Sequence, residues 1–228
     1  MLTPHSVALA WSGGKDSSLA LAALRADPNV EVVSLLTTVT GDYDRISIHG
    51  VRRTILEAQV SALGLPLIEA TIPAAASNDL YEDAFASALE NLQRQYPDLR
   101  HLAFGDLFLA DVRVYRERLL ERLGWTPIFP LWGKDTALLA RQFVDQGYRA
   151  ILSCVDTTQL AADFAGREFD SRLLDELPAT ADPCGERGEF HTCVYEGPIF
   201  RHPLSLERGE RVRRDGRFEY CDLALVGD

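Results

Sequence analysis

Six consecutive residues, Ser12-Gly13-Gly14-Lys15-Asp16-Ser17, join an apolar run to a Leu/Ala-rich one. Between a strand and a helix, two glycines let the backbone turn its amides inward, and the helix N-terminus favours anions. That combination makes a phosphate cradle. Lys15 adds a cation, Ser12 and Ser17 add hydroxyls, and Asp16 adds a carboxylate suited to a Mg2+ ion accompanying polyphosphate. The spacing is neither Gly-x-x-x-x-Gly-Lys-Ser/Thr nor Gly-x-Gly-x-x-Gly, which sets aside the Walker loop and the dinucleotide fingerprint. The alternative is a Ser- and Asp-capped turn with no ligand.

A second cluster, Cys184-Gly185-Glu186-Arg187-Gly188-Glu189-Phe190-His191-Thr192, packs a thiol, two carboxylates, two glycines and an imidazole together. Glu186, Glu189 and His191 are suited to binding an ammonium-like group or transferring its protons, with the glycines admitting a ligand close to the backbone. The competing reading is an exposed turn leading into a strand whose buried face is Phe190, Thr192 and Val194. Thr37 and Thr38 end a strand, where they can reach a ligand in a crevice beyond the strand ends or be simply β-branched strand residues. His49, beside Gly50, is placed to approach a ligand, or to be a helix cap or surface residue. Asp106 follows a strand and a glycine, where its carboxylate can hold Mg2+ or an amine, or be a plain turn aspartate. Cys184, His191 and Cys193 fit no common zinc spacing, and no base is apparent for a nucleophilic Cys184.

Elements positioning these residues follow from periodicity. Strands are expected over 7–11, 31–38, 67–71, 102–104, 126–129 and 150–155, and helices over 15–26, 51–63, 78–96, 111–123 and 136–146. This alternation implies α/β architecture: a doubly wound, mostly parallel sheet whose ligand crevice lies beyond the strand C-termini. Past residue 156 the alternation weakens into a short helix at 171–177 and a hairpin, 211–214 and 218–225, turned at Asp215-Gly216. A smaller C-terminal α+β domain is expected, dividing the chain at 1–135 and 136–228.

Composition bounds the partners. The chain has 228 residues, 46% hydrophobic and 25% charged, with net charge −11. That charge argues against general nucleic-acid or anionic-membrane binding. No run approaches the roughly 18 apolar residues of a membrane span, and no leader is evident, so a cytoplasmic location is expected. Four cysteines without a Cys-x-x-Cys pair are expected to be reduced. Arg113, Arg116, Arg118 and Arg122 alternate with acids as on a solvated helix face, though Arg113 and Arg116 are within reach of the cleft. Arg208, Arg211, Arg213, Arg214 and Arg217 form the one basic concentration, suited to an anionic partner or to guarding an edge strand.

Ser12–Ser17 resembles the pyrophosphate-binding loop of the ATP pyrophosphatases, or PP-loop enzymes, whose fold is HUP-like. Residues 182–192 and 194–200, with Ile48-His49-Gly50-Val51 and Phe104-Gly105-Asp106, resemble the diphthine–ammonia ligase family and its ATP-binding relatives of unassigned role. The likeness runs from about residue 7 to 200. It implies an ATP-dependent ligase that adenylates a carboxylate, forms an amide with ammonia, and releases AMP and pyrophosphate. ATP contacts would come from Ser12, Gly13, Gly14, Lys15, Asp16, Ser17, Thr37, Thr38 and His49, with Asp16 also holding Mg2+. Catalysis would fall to Lys15, Asp16, Asp106, Glu186, Glu189 and His191. The acceptor would be a protein-borne or small-molecule carboxylate, and self-association into a homo-oligomer stays open. Glu189-Phe190-His191-Thr192 stands where that family tends to carry Glu-Tyr/Phe-Glu-Thr, which opens the acceptor to molecules other than diphthine. A nucleotide sensor without turnover is the first alternative. A tRNA-modifying PP-loop enzyme is the second, disfavoured by the lack of a basic surface or paired cysteines.

Overall fold

The computed structural model describes residues 4–227. The first sheet contains β1 (His5–Ala10), β2 (Val30–Thr40), β3 (Arg45–Ile46), β4 (Leu67–Ile72), β5 (His101–Ala103) and β6 (Thr126–Ile128). Its parallel strands run in the order β4-β2-β1-β5-β6. Helices α1 (Lys15–Ala26), α2 (Arg53–Leu63), α3 (Asn78–Gln95) and α4 (Ala110–Arg122) supply the crossovers. The chain lays strands outward from β1 to β4, then returns to lay β5 and β6 on β1's other side. The direction therefore reverses between β1 and β5, and a crevice opens above their C-terminal ends.

Alternation along β1 explains why helices cover both faces. Val7 and Leu9 enter one core with α1 and α2, whereas Ala8 enters the other with Phe85, Leu89 and Leu120 of α3 and α4. The short strand β3 was not anticipated. β1 pairs with β2 only as far as Leu36, leaving the edge of Val39 and Thr40 open for antiparallel pairing with β3.

The stretch anticipated at 150–155 is a strand, β7 (Arg149–Asp156), but it does not extend the parallel sheet. It joins a second, antiparallel sheet of order β8-β7-β10-β9, with β8 (Phe190–Glu196), β9 (Leu206–Arg214) and β10 (Phe218–Leu225). The first sheet stops at β6, a three-residue edge strand in which Pro127 has no amide to donate. Helices α5 (Thr136–Asp145) and α6 (Ser171–Glu176) pack together beside the second sheet. β9 and β10 form the expected hairpin, in which Asp215, Gly216 and Arg217 connect the paired Arg214 and Phe218, with Asp215 and Gly216 both at positive φ (53° and 64°).

The two sheets share one apolar core. Leu9 and Ile55 belong to the same buried cluster as Phe143, Leu152 and Val194. At the centre, Gln59 of α2 is fully buried. Its Oε1 accepts from Trp11 Nε1 (3.1 Å), while its Nε2 donates to the carbonyls of Gly13 (3.0 Å) and Val194 (2.7 Å). One amide thus ties α2, the β1–α1 loop and β8 together. Replacing it by leucine would orphan the Trp11 and Val194 groups, since a buried polar group without a partner costs about 1–3 kcal/mol. Gln59→Leu is expected to lower unfolding stability by about 2–4 kcal/mol. Urea denaturation measures it, and a loss within error would show that this junction holds nothing.

Candidate active site

The phosphate-loop sequence forms the N-terminus of α1, where the N-cap residue is Gly14, which has no side chain to cap the helix with. The missing cap arrives from the far end of the chain. Thr192 Oγ1 on β8 accepts from the Lys15 amide (3.0 Å), and the Val194 amide donates to the Gly13 carbonyl (2.9 Å). Gly13 sits at φ 74°, and a Cβ there would stand 2.6 Å from Gln59 Oε1, so no larger residue fits. Ser17 and Ser18 both donate their hydroxyls to the Gly14 carbonyl (2.9 Å each). By helix geometry the amides of Asp16 and Ser17 lack an intrahelical acceptor, and they face the positive end of the α1 dipole.

Charged groups converge on this loop. Lys15 Nζ lies 2.7 Å from Asp16 Oδ1; the lysine is buried, whereas the aspartate side chain is 32% exposed. Burial opposes the ammonium, but Asp16, then Cys184 and Glu186, raise its pKa above the ordinary lysine value. Lys15 is therefore a fixed cation. Glu186 Oε1 accepts from the amides of Leu107 (2.7 Å) and Phe108 (3.2 Å), and burial lifts its pKa above that of an ordinary glutamate. Asp106 Oδ2 is 2.7 Å from Arg116 Nε, and that guanidinium stacks over Phe104 at 4.2 Å.

His49 and His191 meet with ring centroids 4.5 Å apart, tilted by 48°. Burial holds the His191 pKa down at about 4, helped by the charge on Lys15. Burial, His191 and Lys15 hold His49 well below the ordinary value, so both rings are neutral near pH 7. His49 Nδ1 is buried with no hydrogen-bond partner.

These groups line one crevice of about 420 Å³ at the point where the strand order reverses. Ser12, Lys15, Asp16, Ser17, Thr37, Thr38, His49, Asp106, Glu186 and His191 all border it. Thr37 also donates its hydroxyl to the Trp11 carbonyl (2.7 Å), fixing the strand end. Gly13 and Gly14 shape the loop beneath without lining the crevice.

Comparisons with known proteins bear on the family. The family description "Diphthamide synthase N-terminal domain" matches residues 5–127, and "Diphthamide synthase C-terminal domain" matches 135–223. The chain belongs to the diphthamide synthase family. Similar curated proteins carry the name diphthine–ammonia ligase. One, from Schizosaccharomyces pombe, is 28% identical over 94% of this chain. Others are from Rattus norvegicus (25% over 90%) and Danio rerio (26% over 88%). The chain spans 38% of the length of the yeast relative, and matches 84% and 86% of the rat and fish ones. The name denotes the carbon–nitrogen ligase class expected from the sequence.

Glu189 is the one candidate catalytic residue not brought to the crevice. It is 1% exposed, with Oε1 accepting from the Asp182 amide (2.7 Å) and Oε2 from the Arg187 amide (2.9 Å), so its carboxylate orders the turn that aims Glu186. Residues that sequence reasoning passed over also matter here. Gln59 was hidden among apolar neighbours on α2, and Thr192 was visible only as a strand residue. Arg116 enters the crevice, whereas Arg113 is sandwiched by Phe129 and Trp132 at 4.8 and 4.6 Å. All four cysteines are free and buried, and burial pushes the Cys184 thiol up to about 12. Among the described residues no group of three or more His, Cys, Asp or Glu is placed to hold a metal, and no helix is long and apolar enough to cross a membrane.

The histidine pair sets a pH dependence. With folded pKa values below the unfolded value of 6.5, the unfolded chain binds protons more readily, so stability falls as pH drops from 6.5 toward about 4. His191→Gln is expected to flatten that part of the stability–pH curve. Denaturant melts across the interval measure it, and equal slopes in both proteins would refute the buried neutral pair.

Proposed function

We propose that this protein is an ATP-dependent ligase that activates an acceptor carboxylate as its adenylate and forms an amide with ammonia, releasing AMP and pyrophosphate. The observation carrying this reading is the junction of β8 with the β1–α1 loop. It puts the loop's cation, free helix amides and Asp16 in one crevice with Glu186 and the histidine pair. Such a site supports two successive displacements. The acceptor oxygen attacks the α-phosphorus and pyrophosphate leaves; ammonia then attacks the acyl carbon and AMP leaves.

Lys15 and the amides of Asp16 and Ser17 bind the departing pyrophosphate, and because they are already oriented they need no reorganisation as charge develops. Asp16, exposed toward the crevice, is the one carboxylate suited to a Mg2+ ion arriving with the polyphosphate. Mg2+ is usually held by one or two carboxylates plus substrate phosphates, a role that Asp16 alone would fill on the protein side. Its contribution when bound is to neutralise phosphate charge. The apolar end of the crevice, with Leu36, Tyr81, Phe85 and Phe104, receives the adenine. Glu186, with its raised pKa, takes the proton that ammonium must lose before it can attack. His191, neutral and beside Lys15, orients the nucleophile without adding a second cation. The two sheets thereby divide the work, activation on the first and acceptor chemistry on the second.

With labelled ATP, Mg2+, ammonium and a pool of candidate carboxylates, acceptor-dependent release of AMP and pyrophosphate is expected. Lys15→Ala should lower that rate by about a hundredfold or more, the scale of losing an electrostatic stabiliser. Asp16→Asn should abolish the stimulation. His191→Ala should spare nucleotide binding and reduce turnover. Formation of ADP and orthophosphate, or tight AMP binding with no acceptor-stimulated cleavage from any pool, would replace the ligase reading with one of the alternatives.

A further inference from the structure

A second cavity, of about 650 Å³, adjoins the crevice between β3 and the β9–β10 hairpin. Its size suits an organic molecule. Ile46, Ser47 and Ile48 line both spaces, so they form a common wall. Of the eight large apolar side chains that are exposed among the described residues, three (Tyr43, Ile48 and Val212) line this one cavity. Such clustering marks a binding surface more than scattered exposure would.

The wall is held in an uncommon conformation. Ile48 has φ 68°, which β-branched residues rarely adopt, and the His49 amide donates to the Ser47 carbonyl across it (2.8 Å). Tyr220 of the hairpin secures the turn: its hydroxyl donates to the Ile48 carbonyl (3.3 Å) and its ring lies against Gly50. The hairpin side of the cavity is therefore linked directly to the backbone that places His49 in the crevice. A strained, externally clamped segment of this kind points to function.

Charge distinguishes the occupant. Arg45 and Arg52 both bind Asp222, Arg213 binds Glu219, Arg217 binds Asp156, and Arg208 binds Glu168. Arg214 lines the cavity with its guanidinium over the Tyr43 ring at 5.4 Å, and no carboxylate pairs with it among the described residues. The cavity's other charged lining is acidic apart from Arg45: Asp222 is the one that Arg45 and Arg52 pair, Asp215 is next to Arg214 at the turn, and Glu210 is four residues earlier on the strand, about 13 Å from Arg214 at strand rise.

We propose that this cavity is the acceptor subsite, and that the acceptor is a dianion with an apolar middle. One carboxylate is activated in the crevice; the second anionic group is anchored by Arg214, with the apolar span across Tyr43, Ile48 and Val212. The proposal rests on the ligase reading only for the word acceptor. The cavity and its anion site stand on their own geometry.

Adipic, suberic and sebacic acids serve as probes, with suberamide as the uncharged control, followed by saturation-transfer NMR on the intact protein. The wild type is expected to bind at least one diacid and not the diamide. Arg214→Glu, an exposed substitution, should weaken diacid binding by about tenfold, the scale of one charge-assisted contact, and Arg214→Lys should restore part of it. AMP titrated into the same samples should bind wild type and Arg214→Glu equally. No diacid binding by the wild type, or equal binding by Arg214→Glu, overturns the proposal. Failure of the wild type to bind AMP would instead strike the ligase reading, leaving the diacid titrations to decide this subsite.

Discussion

The site depends on a strand laid across a loop. The Gly13 carbonyl accepts from both the Val194 amide and Gln59 Nε2, while Thr192 caps Lys15 across 177 residues of sequence. A glycine loop at a helix start is by itself pliant, because glycine surrenders more backbone freedom on ordering than any other residue. Here the ordering is imposed from outside by contacts that exist only once both sheets have folded. The common apolar core running from Leu9 and Ile55 to Phe143 and Leu152 makes that assembly cooperative, so the loop is as rigid as the fold. A preorganised anion cradle follows from tertiary packing.

The same junction governs the charges. The chain is acidic overall, yet the proposed occupant of the crevice is an anionic nucleotide. Asp106 is balanced by Arg116, and Asp16 by a lysine whose ammonium is stabilised by its surroundings. Glu186 and Glu189 are both fed by backbone amides of neighbouring turns. Each acidic group near the loop is thus compensated locally, and the helix amides stay available to phosphate. The difference between Glu186 and Glu189 is one of partners alone. The first retains an oxygen toward the crevice; the second is enclosed by the turn that carries it.

That difference explains what could be read beforehand. The loop, the parallel alternation and the hairpin at Asp215-Gly216 are local signals, each written in a few adjacent residues. Whether Glu189 faces a ligand depends on the amides of Asp182 and Arg187, which spacing does not disclose. The same holds for Gln59, polar among apolar neighbours on α2, whose three partners lie on three different elements. β7 was recognisable as a strand, but its sheet was not, since that depends on where the edge at Pro127 closes the first one. Local chemistry was therefore legible, and the long-range contacts that aim it were not.

One substitution within the resemblance is physically consequential. A glutamate at position 191, as in the diphthine–ammonia ligase pattern, would lie against the His49 ring and favour its protonated form, giving an ion pair of zero net charge. The histidine present here also gives zero net charge, as two neutral rings 4.5 Å apart. The net charge of the pair is thus the same for either residue. What the histidine lacks is a carboxylate at this point of the crevice lining, where an ammonium or other cation could be held. Under the proposed ligase reading, that difference favours acceptor groups that neutral imidazoles can hydrogen-bond over those requiring a counter-ion.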